Sequence, residues 1–100
     1  MTLILSIKRG STFRYRMPLP ADLRDAAFQA QVRAMGSGAL VSDLTIRVID
    51  VDALCLLELE ADDTSEWPIS NLSADVEARL GNEVVHSETI QIKVLRNVTV

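Results

Sequence analysis

The chain has 100 residues, 48% of them apolar and 24% charged, with a net charge of −4. Length and composition give one domain over residues 1–100 with one core, far from the composition of a disordered segment. The ten basic residues are scattered. Nucleic acid and anionic membrane are therefore excluded as expected partners, because neutralising phosphate takes a concentrated positive face.

Eight of those ten are arginine, the residue suited to bidentate ion pairs and protein contacts. Cys55 is the sole cysteine, so no disulfide forms within the chain and no cysteine-based metal site has a second ligand. It reads as a small buried apolar residue on a strand. No run is long enough for a membrane span, and TLILSIKR lacks the positive region and cleavage site of a signal peptide. An intracellular site of synthesis is expected, and the glycosylation patterns at Asn71 and Asn97 then carry no meaning.

Taken in chain order, the dominant signal has period two, the mark of strands with one wet face. Leu3, Leu5 and Ile7 alternate with Ile4, Ser6 and Lys8; a Gly10-Ser11 corner follows; then Phe13, Tyr15 and Met17 alternate with Arg14 and Arg16. After the prolines at 18 and 20, the stretch through Phe28, Ala30, Val32 and Ala34 has a rival reading as helix, with Gly36 as its stop. Unbroken alternation through FQAQVRA favours a strand, with one short helical turn near Ala21 to Asp25.

Leu44, Ile46 and Val48 continue the pattern, and so do Leu57 and Leu59 against Glu58 and Glu60. Ala74, Val76, Ala78 and Leu80 alternate with Asp75, Glu77 and Arg79, although Ser73 and Gly81 also fit the ends of a helix. Strand is again preferred. Gly81-Asn82 is chemistry for a tight hairpin between LSADVEARL and EVVHSETIQIKV, within which Ile90, Ile92 and Val94 alternate with Gln91 and Lys93. Turn residues between these runs point to an all-β chain of about seven short strands in an antiparallel sandwich or barrel.

No residue pattern here carries chemistry. His86, the only histidine, has Ser87 beside it, but strand neighbours point to opposite faces and no oxyanion segment accompanies them. Pairing His86 with Ser70 or Cys55 lacks any local support. The acidic run Glu58, Glu60, Asp62, Asp63 and Glu66 lacks the spacing of a calcium loop and reads as a solvated strand exit. No catalytic, cofactor-binding or metal-binding residue is expected, and the chain is read as not an enzyme.

The candidate interface residues are Arg14, Arg16, Arg33, Arg47 and Trp67. The four arginines lie on polar strand faces and would line one face if their strands were neighbours, although local pairing with Glu or Asp is the commoner fate of any one arginine. Reversing the charge of Arg14 and Arg16 is then expected to spare the fold while blocking assembly. Trp67 is either a core plug or an anchor for a partner.

The order of these elements resembles small tail or baseplate-associated proteins of bacteriophages and prophages. The matching residues are Gly10, Thr12 and Phe13; Gln31 and Arg33; Thr64, Trp67 and Pro68; Asp75 and Val76; Ser87, Thr89, Ile92 and Val94; and Val98 and Thr99. Ser70-Asn71 departs from the pattern, which commonly has a glycine turn there, and so does the Ala-rich insert from Pro18 to Asp25. The resemblance implies an immunoglobulin-like β-sandwich, similar to N-terminal domains of upper baseplate proteins. It implies a noncatalytic structural or assembly role in a tail particle, synthesis in the bacterial cytoplasm, and other virion or tail proteins as partners, in a homo-oligomer or a hetero-assembly. The alternative is a free-standing binding module that takes a sugar or a host protein through the Trp67 region.

Overall fold

The computed structural model describes residues 3–87 and 89–96. Asn97, Val98 and Thr99, singled out above, lie outside the described residues. The described strands are β1 (Leu3–Lys8), β2 (Phe13–Pro18), β3 (Ala27–Ala34), β4 (Leu40–Asp43), β5 (Thr45–Val51), β6 (Leu54–Ala61), β7 (Asn71–Leu80), β8 (Glu83–His86) and β9 (Ile90–Leu95), with a 3-10 turn at Ala21–Leu23. The expected short helical turn is therefore present, and both segments with a rival helical reading are strands.

Two sheets pack face to face. One runs β1-β9-β7-β3-β4, with β8 also paired to β7; the other runs β2-β6-β5. Nine strands come from about seven runs of chain. β4 and β5 form one run that changes sheet at Leu44, whose N–H donates to the Ala30 carbonyl (3.0 Å) while its side chain enters the core. β8 and β9 follow one another along the same edge of β7, but their pairing registers differ by one residue, which marks a bulge between them.

The connectivity is that of an immunoglobulin-like sandwich, with β2, β6 and β5 in the places of strands B, E and D, and β3, β7 and β9 in those of C, F and G. The first strand leaves β2 and pairs in parallel with β9, Leu3 opposite Ile90 and Lys8 opposite Leu95. Alternation decides which side chains fill the space between the sheets. Leu57 and Leu59 of β6 meet Val32, Leu72, Ala74, Val76, Ile90, Ile92 and Val94 from the larger sheet. Leu80, expected to face inward with them, is exposed because it lies at the hairpin end of β7, beyond the core.

Gly81 at φ 61 begins the β7–β8 turn as the sequence predicts, in the manner of a type II′ hairpin. The β5–β6 turn is different. It holds Asp52 at φ 50 and Ala53 at φ 66, both left-handed, where such two-residue turns ordinarily place Asn-Gly. An alanine there holds its Cβ against the following carbonyl at about 1 kcal/mol. Ala53→Gly is therefore expected to raise the midpoint of thermal unfolding by a few degrees, about 1 kcal/mol corresponding to about 4–8 °C in a domain of this size. Calorimetry showing no rise would remove strain at this turn.

Candidate functional site

The outer face of the three-stranded sheet is built in cross-strand rows. Register places Arg14, Glu60 and Thr45 in one row, Arg16, Glu58 and Arg47 in the next, and Pro18, Leu56 and Ile49 in a third; Leu54 and Val51 complete the face at the β5–β6 turn. β6 is the middle strand, so its two glutamates are covered from both sides by longer side chains. Glu58 is 5% and Glu60 6% exposed.

Each carboxylate is neutralised within the domain. Arg14 Nε donates to Glu60 Oε2 at 2.7 Å, Arg16 Nε to Glu58 Oε2 at 3.0 Å, and Arg47 Nη2 to Glu60 Oε1 at 3.0 Å. Arg47 also reaches Glu58, with Nε 3.6 Å from Oε1. Three guanidinium groups thus hold two carboxylates, with Asp62 also close to Arg14 and Glu60, on a face whose arginines are about half exposed. The carboxylates are engaged as acceptors, while the arginines keep N–H donors turned to solvent.

This corrects the expectation of a solvated acidic run. Asp62, Asp63 and Glu66 are exposed, but Glu58 and Glu60 are buried counter-ions. It also corrects the expectation for charge reversal. Glutamates at 14 and 16 would stand beside Glu58 and Glu60 with only Arg47 to neutralise four acids, so the double variant is expected to lose stability.

Arg33 belongs elsewhere. It lies on β3 in the other sheet, where its guanidinium donates to the Gly38 carbonyl (3.0 Å) and to Gln31 Oε1 (2.9 Å). With Gln29, Gln31, Ser73, Asp75, Glu77 and His86 it lines a shallow polar trough of about 190 Å³. Trp67 is 2% exposed and packs against Phe13, ring centroids 5.9 Å apart, so its place as a surface contact gives way to that of a core plug.

His86 and Ser70, one of the pairs considered for hydrolysis, are apart. His86 stands opposite Glu77 near one end of β7, whereas Ser70 precedes the other end. The Ser87 hydroxyl accepts the Val76 N–H at 2.9 Å and carries the β7 pairing across the bulge. Cys55 Sγ accepts from Arg24, whose other contacts are the two Asp50 oxygens at 2.8 and 2.7 Å. That contact, led by its hydrogen bond, holds the Asp50 carboxyl below its ordinary value. Among the described residues, no three metal-ligating side chains converge.

Sequence reading missed the apolar end of the arginine-bearing face. Leu54 is 62% exposed, Val51 is exposed, and Ile49 and Leu56 are half-buried beside them. A signal for it was present: the runs RVIDV and ALCLL place apolar residues at successive positions, and successive strand positions face opposite ways.

Comparison with known proteins bears on the fold. No protein-family model matches the chain, and no curated protein matches it in sequence. Among solved structures it is similar to the BTLA ectodomain, with a TM-score of 0.67 and 13% identity over 92% of this chain and 89% of that one. It is also similar to the second Ig domain of the mouse polymeric immunoglobulin receptor, with a TM-score of 0.64 and 11% identity over 97% of this chain and 99% of that one. At such identities the likeness shows the immunoglobulin-like fold.

The Arg14 hydrogen bond holds Glu60 below its ordinary carboxyl value of 4.5, so the unfolded chain takes up this proton first. The stabilisation is complete above that value and is lost as pH falls through the lower folded value. Glu60→Gln is accordingly expected to lose less of its stability than the parent between about pH 7 and about pH 3. Equal losses in urea unfolding would take this carboxylate out of the acid response. Trp67→Ala, which empties a core site, is expected to cost about 3–5 kcal/mol in the same measurement; a near-neutral effect would contradict the plug.

Proposed function

We propose that the chain is a noncatalytic assembly component that works through protein–protein contacts on the outer face of β2-β6-β5. The observation that carries this reading is the juxtaposition of an apolar end, exposed Val51 and Leu54 beside half-buried Ile49 and Leu56, with half-exposed Arg16 and Arg47. An apolar centre bordered by arginine is the composition of a contact surface, and the guanidinium groups are already positioned by Glu58 and Glu60. A partner's acidic groups would meet fixed donors and leave less side-chain freedom to be lost on binding.

The tail or baseplate setting rests on the sequence resemblance. In that setting the chain is made in the bacterial cytoplasm, joins a tail particle without a cofactor, and has tail proteins or its own copies as partners. The sugar- or host-protein-binding alternative draws no support from Trp67, whose indole is in the core.

Quantitative mass spectrometry of particles induced from the encoding bacterium tests the setting. Stoichiometric copies are expected in the particle; a protein found only in the soluble lysate would overturn it. Leu54→Glu tests the face. Because Leu54 is largely exposed, the variant is expected to unfold within about 2 °C of the parent yet to be missing from particles. Normal incorporation would exclude this face.

A further inference from the structure

Among the described residues, β8 pairs with β7 alone, and its four residues are all exposed. The Ser87 N–H donates to the Val76 carbonyl and the Val76 N–H to the Ser87 hydroxyl, both at 2.9 Å, which makes Val76 and Ser87 a hydrogen-bonded pair. Alternation along an antiparallel ladder then makes Ala78 with Val85, and Leu80 with Glu83, the next such pairs. The N–H and C=O groups of Val84 and His86 consequently point away from β7, to an edge on which no described strand is paired. Natural edges are usually blunted by charge or cover; here Val84 and Val85 are both exposed.

Beneath this edge lies an apolar slot of about 220 Å³, lined by Met17, Leu23, Phe28, Leu57, Ala78 and Val85 among others. Among the described strands, β1 runs beside β9 from Ile90 onward and none is paired along the outer edge of β8 over this slot. An added strand beside β8 would satisfy the backbone groups and cover the slot at once.

We infer that β8 pairs with β8 of a second copy of this chain, in an antiparallel two-fold dimer. A two-fold axis perpendicular to the sheet keeps inward side chains inward, so residues facing each other must come from the same face. Val85 opposite Val85 of the second copy meets this condition and places Val84 opposite His86 on either side of the axis. That register sets the free N–H and C=O groups of both edges against one another. It brings two valines together over the slots, and it sets Glu83 opposite Ser87 rather than another acid. Pairing centred on Val84 instead puts Glu83 opposite Val85 on the apolar side. The β8 edge is separate from the arginine-bearing face, so this inference and the function proposed above fail independently.

The test is sedimentation equilibrium of the full chain over about a hundredfold range of concentration. The weight-average mass is expected to rise from 11.0 kDa towards twice that value. Val84→Pro removes an N–H directed at the open edge and none that serves β7, and Val85→Glu puts a charge on each side of the axis. Each is expected to weaken the dimer by about 100-fold or more with the far-ultraviolet spectrum unchanged, while Leu54→Glu leaves it intact. A parent that stays monomeric throughout would overturn the inference and leave the edge to a strand of a different protein, or to none. A dimer indifferent to Val85→Glu would overturn it as well, even if Val84→Pro failed to fold, because Val85 is exposed.

Discussion

The hydroxyl of Thr64 fixes the corner from which the accessible surface of this sandwich follows. It accepts the Gly10 N–H at 2.9 Å and donates to the Ser11 carbonyl at 2.6 Å, and Thr64 itself is fully buried. Gly10, at φ 95, supplies a backbone conformation that side-chain-bearing residues rarely adopt. The chain can therefore leave the larger sheet after β1 and enter the smaller one at Phe13, whose ring meets Trp67 from the same loop as Thr64. With β1 committed to β9, the outer edge of β2 has no neighbour among the described strands, and the larger sheet is closed on that side only along β9.

The middle strand of the smaller sheet faces a second constraint. β6 is covered by the core on one side and by arginines on the other, so its alternation of leucine and glutamate does not separate dry from wet. Leu57 and Leu59 are buried by hydrophobic packing, Glu58 and Glu60 by ion pairs with Arg14, Arg16 and Arg47. Removing one partner from such a group would leave a buried charge uncompensated, which is a larger effect than the modest worth of a surface pair. The arginines are consequently held in place by the domain's own carboxylates.

The fold was largely legible because it depends on period-two patterning and turn chemistry, both local properties. FQAQVRA and ADVEARL read correctly as strands since their apolar residues occur at every second position, a pattern that overrides the helix propensity of alanine, glutamate and arginine. The site was legible only in part. Arg14, Arg16 and Arg47 were singled out, but that they flank Glu58 and Glu60 follows from β6 lying between β2 and β5, a long-range fact that no window of sequence contains. Arg33 looked equivalent and lies in the other sheet. Trp67 could be either plug or anchor until its loop was seen to fold over Phe13. The bulge between β8 and β9 was hidden for the same reason, since a one-residue change of register appears only once β7 is known to pair with both.

The motif residues that resemble tail proteins show why short patterns speak first to structure. Gly10, Phe13, Thr64 and Trp67, some 50 positions apart in sequence, meet at one corner, while Val76 and Ser87 meet at the bulge. These residues hold the sandwich together where immunoglobulin domains commonly use an inter-sheet disulfide against a tryptophan on strand C; here the sole cysteine is free on β6 and the sole tryptophan lies in the β6–β7 connection. The Trp67 end is consequently the closed one. The opposite end has the Arg24–Asp50 pair, the apolar slot and the two hairpin turns, and both candidate contact surfaces, the apolar end of the arginine face and the β8 edge, lie towards it. The domain thus presents in one direction an edge unpaired among the described strands and its exposed apolar side chains, the arrangement that the proposed docking would use.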